Sequence, residues 1–82
     1  MQTPFTENIV VFSQNNCPAC ISAKQLLEAR GLMFTERNLS TDPNAKADLQ
    51  KSAPGARTVP QIIIGNKVIS GFDMLKTYLV RK

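Results

Sequence analysis

The sequence predicts an α/β fold in the order β-α-β-α-β-β-α, a four-stranded mixed sheet flanked by three helices. Three observations carry that expectation. Apolar runs of strand length, Ile9-Val10-Val11-Phe12 and Ile62-Ile63-Ile64, alternate with segments whose apolar residues recur at helical spacing. Breaker residues fall between those segments, at Gly31, Pro54-Gly55 and Gly65-Asn66. The only two cysteines lie in one run, Cys17-Pro18-Ala19-Cys20, where the first strand gives way to the first helix. With 82 residues the chain has room for one domain, residues 1–82, and one core.

Asn8 to Ser13 is rich in β-branched residues and reads as a buried first strand. Pro18 suits the first turn of a helix, where its missing N–H costs nothing. Cys20, Ala23, Leu27 and Gly31 then recur at helical spacing, and Gly31 is a natural stop. Met33 to Leu39 alternates and reads as the second strand. Asp42-Pro43 has the chemistry of a helix start, with Asp42 as N-cap and Pro43 at the first helical position. That helix runs to about Ala53, before Pro54-Gly55. Thr58 to Ile64 reads as the third strand, and Gly65-Asn66 as a tight turn into an antiparallel fourth strand, Lys67 to Ser70. Gly71 opens a last helix with Phe72, Leu75 and Leu79 on one face. The first β-α-β unit is expected to cross over right-handedly, and helices on both sheet faces explain why the strands are continuously apolar.

Composition excludes several classes of function. The chain is 43% hydrophobic and 20% charged, which suits a globular protein rather than a disordered one. The net charge of +4 comes from scattered residues, with only Arg81-Lys82 adjacent, so nucleic-acid binding is not expected. A mild positive field favours an anionic partner. No apolar run approaches the roughly 20 residues of a membrane span. Met1-Gln2-Thr3-Pro4 lacks a basic stretch followed by an apolar one, so a cytoplasmic protein without a secretory signal is expected. Two cysteines and no histidine leave a structural zinc site two ligands short, and no metal is expected.

In that setting a Cys-x-x-Cys pair reads as a redox switch: two thiols at this spacing form and break a disulfide with little backbone movement. Cys17 sits where unpaired backbone N–H groups and the helix dipole stabilise negative charge, which lowers the pKa of a thiol below its usual value near 8.5. Cys17 is therefore the candidate nucleophile. Cys20, one turn in and on the buried side, is the candidate resolving thiol. Lys24 reads as a solvated residue on the same helix.

The β-α-β unit with Cys-x-x-Cys after its first strand, followed by a hairpin and a closing helix, resembles the minimal thioredoxin fold. Four stretches narrow the resemblance to the dithiol glutaredoxins: Cys17-Pro18-Ala19-Cys20, with Ala where their ring stands; Ala23-Lys24; Gly55-Ala56-Arg57-Thr58-Val59-Pro60-Gln61; and Ile69-Ser70-Gly71-Phe72-Asp73. The likeness runs through about residues 7–80. It implies a glutathione-dependent thiol–disulfide oxidoreductase with no bound cofactor. Glutathione would be the reducing co-substrate, oxidised or glutathionylated proteins the substrates, and ribonucleotide reductase a plausible client of a monomeric enzyme. It also implies a glutathione site at Gln14, Pro18, Arg57, Thr58, Val59, Pro60, Gly71, Phe72 and Asp73. Within it Pro60 would be cis and face the cysteines, and Val59 would offer its backbone to an extended peptide. The turn at Gly71 would hold the γ-glutamyl carboxylate, Asp73 its ammonium, and Arg57 the glycine carboxylate. Read without the resemblance, Asp73 is an acid serving its own helix dipole and Arg57 a solvated surface residue.

Two positions depart from the family pattern. Gln14 stands where glutaredoxins carry Lys or Arg, with Lys51, Arg57 or Lys67 as candidates to replace that charge. Met74 replaces half of the polar pair expected at Asp73-Met74. Ser70-Gly71-Phe72 also resembles the NrdH-type redoxins, which are recycled by thioredoxin reductase and serve ribonucleotide reductase; the Arg-Thr-Val-Pro run and Pro18 favour glutaredoxin. A glutathione-ligated iron–sulfur carrier is a third reading, which Pro18 disfavours.

Overall fold

In a computed structural model of the chain, the described residues are 8–80. Met1-Gln2-Thr3-Pro4 and Arg81-Lys82, read above for a leader and a basic pair, lie outside them. The elements follow in the expected order: β1 (Ile9–Ser13), α1 (Pro18–Ala29), β2 (Thr35–Asn38), α2 (Ala45–Ser52), β3 (Gln61–Ile64), β4 (Lys67–Ser70) and α3 (Phe72–Val80). The sheet order is β2-β1-β3-β4. β1 pairs with β2 in parallel, and β3 pairs with both β1 and β4 antiparallel. This is the minimal thioredoxin fold.

Side chains alternate across the strands, so the sheet serves two cores. Ile9 and Val11 of β1, Ile62 and Ile64 of β3, and Ile69 of β4 pack with Ala23 and Leu27 of α1 and Leu75 and Leu79 of α3. On the opposite face Phe12 packs with Leu49 and Ala53 at α2, flanked by Val10 and Ile63. Both faces of β1 are covered, which is why Ile9 to Phe12 is continuously apolar rather than alternating.

Gly31 ends α1 as its chemistry requires. It has φ +71, its N–H donates to the Glu28 carbonyl at 3.0 Å, and the N–H of Leu32 donates back to Leu27 at 3.0 Å. That bond pair is a Schellman motif, and it holds the chain in a left-handed turn glycine adopts without a Cβ clash. The hairpin turn likewise takes positive φ at Gly65 (+62) and not at Asn66, the pattern of a turn with glycine at its first central position.

Three element starts differ from the sequence expectation by two residues or more. β2 starts at Thr35, not Met33: Leu32 is still tied to the cap of α1, and Met33 is 90% exposed. α2 starts at Ala45, three residues after the expected cap. Asp42 does cap, but it caps a separate turn: its side chain accepts the Asn44 N–H at 2.9 Å and its carbonyl accepts the Ala45 N–H at 3.1 Å. Its carboxylate is also engaged by Arg37, whose guanidinium donates to Asp42 and Asp48 at 2.7 Å each and lies 5.9 Å from the centre of the Phe12 ring. β3 starts at Gln61 rather than Thr58, because Pro60 has no N–H to give the ladder; the Val59–Pro60 peptide is cis.

Candidate active site

Cys17 is the N-cap of α1. Its backbone is extended (φ −124, ψ 94), and its carbonyl accepts the first intrahelical bond, from Ile21 N–H at 3.1 Å. Its Sγ takes the place of the usual capping oxygen and accepts the backbone N–H of Cys20 at 3.1 Å. Pro18 follows at the first helical position, as expected. Cys17 and Cys20 are joined as a disulfide with Cα atoms 5.2 Å apart. Cys17 is 8% exposed and Cys20 1%, so the outer sulfur meets solvent first.

Cys17 opens onto a cleft of about 690 Å³ between the start of α1, the helix α2 and the loop before β3. Of the residues read from the sequence, Gln14, Cys17, Pro18, Arg57, Thr58 and Val59 line it. Pro60 is buried immediately behind Val59, and its cis peptide is as the resemblance implied. Gln61 fixes this loop from below. Its Nε2 donates to the Thr58 carbonyl at 3.0 Å, and its Oε1 accepts the Ser70 hydroxyl at 2.7 Å.

Gly71, Phe72 and Asp73 are not among the lining residues. They are tied to the loop instead: the Gly71 N–H donates to the Pro60 carbonyl at 2.9 Å. Gly71 has φ +89 and its carbonyl accepts the Leu75 N–H at 3.2 Å, which makes it the cap of α3. Asp73 and Met74 are exposed in the first turn, and Lys76 lies 5.2 Å over the Phe72 ring.

The cleft also holds residues that motif reading passed over, chiefly Lys46 and Gln50 of α2. Its charged lining residues are Lys46 and Arg57, with no carboxylate among them. Of the three cations considered as substitutes for the charge missing at Gln14, only Arg57 is there. Lys51 lines a smaller cleft of about 250 Å³ against Val10, Phe12 and Arg37, and Lys67 lies 5.7 Å over the Tyr78 ring. The amphipathic phase of α2 was the signal that separates Lys46 from Lys51: five residues turn a helix by about 140°.

Lys24 is not simply solvated. Its ammonium lies 2.8 Å from the Glu36 carboxylate, which also accepts the buried Ser13 hydroxyl at 2.7 Å. The Lys24 bond first, and the Ser13 bond second, hold the Glu36 carboxyl below its ordinary pKa. No group of three or more metal-ligating side chains occurs among the described residues, and no helix there is long and apolar enough to cross a membrane.

A cysteine disulfide capping the first helix of this sheet, beside a cis-proline loop, defines a thiol–disulfide redox protein of the thioredoxin fold. The glutaredoxin family model matches residues 9–69, and the chain belongs to that family. It is 42% identical over 67 residues to a glutaredoxin of Pseudomonas aeruginosa, covering 82% of this chain and 79% of that protein. It is also 42% identical over 72 residues to the hybrid peroxiredoxin hyPrx5 of Haemophilus influenzae, covering 88% of this chain but spanning only 29% of that protein's length. Among solved structures, the buckwheat glutaredoxin–glutathione complex superposes with a TM-score of 0.76 at 29% identity, over 93% of this chain and 71% of that one. The NrdH-redoxin from Escherichia coli superposes with a TM-score of 0.72 at 33% identity, over 85% of this chain and 92% of that one.

Proposed function

We propose that the chain is a glutathione-dependent disulfide oxidoreductase that reduces protein disulfides and glutathione mixed disulfides, without a bound cofactor. The observation that carries the reading is Cys17 at the helix N-cap, opening on a cleft whose charged residues are both cations. Glutathione carries two carboxylates, and Lys46 and Arg57 are the groups available to meet them there. The glutathione complex of a similar buckwheat protein supports the same ligand.

In the reaction, the Cys17 thiolate attacks a substrate disulfide. A mixed disulfide forms, and one substrate sulfur leaves as a thiolate and takes up a proton. Cys20, as thiolate, then attacks the Cys17 sulfur, releasing the second substrate thiol and forming the Cys17–Cys20 disulfide. One glutathione thiolate attacks Cys17 and returns Cys20 to a thiol. A second attacks the glutathione sulfur, leaving oxidised glutathione and the dithiol. Two electrons pass from two glutathione molecules to one disulfide. The N–H of Cys20, 3.1 Å from the Cys17 sulfur, stabilises the negative charge whenever Cys17 is attacking or leaving.

Val59 supports peptide binding by strand addition. Among the described residues its backbone makes no hydrogen bond, and it lines the cleft next to Cys17. Oxidised proteins are thus proposed substrates. Ribonucleotide reductase is one proposed client by family analogy, and the likeness to a hybrid peroxiredoxin adds oxidised peroxiredoxins as another. The cytoplasm is the proposed compartment and a monomer the proposed state.

A second reading has a specific observation behind it: the 33% identity to an NrdH-redoxin, together with Gln14 and Met74 in place of glutathione-binding residues. Turnover of a glutathione mixed disulfide, coupled separately to glutathione with glutathione reductase and to thioredoxin reductase, decides between them. Turnover with glutathione is the expected result; reduction by thioredoxin reductase alone would replace this reading with the second.

A further inference from the structure

We propose that Asn38 and Ser40 are positioning residues for Cys17: they clamp the loop ahead of it and so hold its sulfur at the N-cap of α1. The reading of Cys17 as nucleophile underlies this proposal.

The loop Gln14-Asn15-Asn16 joins β1 to the cysteine. Its last residue, Asn16, has φ +57, a left-handed conformation that Asn tolerates better than most residues. That turn sets the angle at which the chain enters Cys17, whose own backbone is extended. The aim of the sulfur at the helix start therefore depends on how firmly this loop is held. Two hydrogen bonds hold it, both from residues about twenty-five positions away in sequence. The Asn15 N–H donates to the Ser40 hydroxyl at 3.0 Å, and the Asn38 side-chain amide donates to the Asn15 side-chain oxygen at 3.2 Å. The clamp is self-orienting: the Ser40 N–H donates to the Asn38 side-chain oxygen at 2.8 Å. The strand bond below it, from Leu39 N–H to the Ser13 carbonyl at 2.7 Å, fixes the depth of both loops. Among the described residues, no other hydrogen bond tethers Gln14, Asn15 or Asn16.

The clamp touches neither sulfur, so its effect passes through the loop. If it is released, Cys17 leaves the N-cap for part of the time. Its thiolate then loses the Cys20 N–H and the helix dipole for that fraction. Lys46 and Arg57, the charged groups facing Cys17 across the cleft, remain unchanged.

The test uses the reduced full chain and three variants, Ser40→Ala, Asn38→Ala and Ser40→Thr, with thermal unfolding measured alongside. Ultraviolet titration of the thiolate reads the clamp without glutathione, so it stands whichever reductase the protein uses. Ser40→Ala and Asn38→Ala are expected to move the Cys17 titration up by roughly 0.4–1 pH unit. They should also lower kcat by roughly two- to tenfold with KM little changed. Ser40→Thr keeps the hydroxyl and should restore both. A titration and kcat unchanged in both alanine variants would overturn the proposal, as would a loss that Ser40→Thr does not rescue. Should Asn38→Ala not fold, Asn15→Ala removes only the side-chain acceptor and gives the same reading.

Discussion

The Gly71 N–H donates to the Pro60 carbonyl at 2.9 Å. Through that bond the start of α3 is joined to the loop that lines the cleft with Cys17. The two residues are eleven positions apart in the chain, across the β3–β4 hairpin. Gly71 is held at φ +89, where a Cβ is disfavoured, although open space surrounds the position a Cβ would occupy. Gly71→Ala is expected to destabilise the fold by about 1–2 kcal/mol through backbone strain alone. Denaturant unfolding measures it; an unchanged midpoint would mean that the turn relaxes freely.

The two cysteines are expected to separate by task. Cys17→Ser removes the attacking sulfur and should abolish all turnover. Cys20→Ser should retain deglutathionylation, which needs one thiol, and lose reduction of protein disulfides. Assays with a glutathione mixed disulfide and with a disulfide-bonded protein distinguish them, and equal loss of both would give Cys20 a role beyond resolving.

Lys46 and Arg57 line the cleft while Lys51 and Lys67 do not. Removing either lysine or arginine of the first pair should raise KM for a glutathione mixed disulfide by roughly two- to fivefold, the worth of an exposed charge pair. Lys51→Ala and Lys67→Ala should leave it unchanged. Gln14→Lys adds a cation to the same cleft and should lower KM. The effect should weaken with added salt. Equal KM changes for all four removals would show that net charge, not position, binds the substrate.

Among the described residues, Glu36 and Asp42 are the two carboxylates whose pKa is lowered by an ion pair, and both tie stability to pH. The folded pKa of Glu36 lies below the unfolded reference of 4.5, first because of Lys24 and then Ser13. The ion pair therefore contributes stability that is fully present above 4.5 and is lost as pH falls through the lowered folded value. Glu36→Gln should cost about 0.2–1 kcal/mol at neutral pH, since the pair is partly exposed. The gap between the two proteins should close in acid. Thermal unfolding across that range checks it; a constant gap would assign the loss to packing instead.

The order of elements, the glycine that ends α1, the hairpin and the reactive cysteine pair were legible in the sequence, because each is written in local signals: apolar period, breaker residues and the spacing of two thiols. Starts of α2 and β3 were not. Asp42 caps a turn of its own, where Arg37 of β2 holds its carboxylate, and the β3 ladder begins only after Pro60, which has no N–H to give it. What α2 contributes to the cleft was decided by tertiary structure: helical phase separates Lys46 from Lys51 but does not say which of them lines it. Lys46 and Lys51 have the same chemistry and sit on one helix, but packing of Leu49 and Ala53 against Phe12 fixes which of them faces Cys17. The clamp from Asn38 and Ser40 to Asn15 belongs to the same class. Such contacts depend on distance through space, and a one-dimensional pattern records local preference but not where the sheet brings remote residues together.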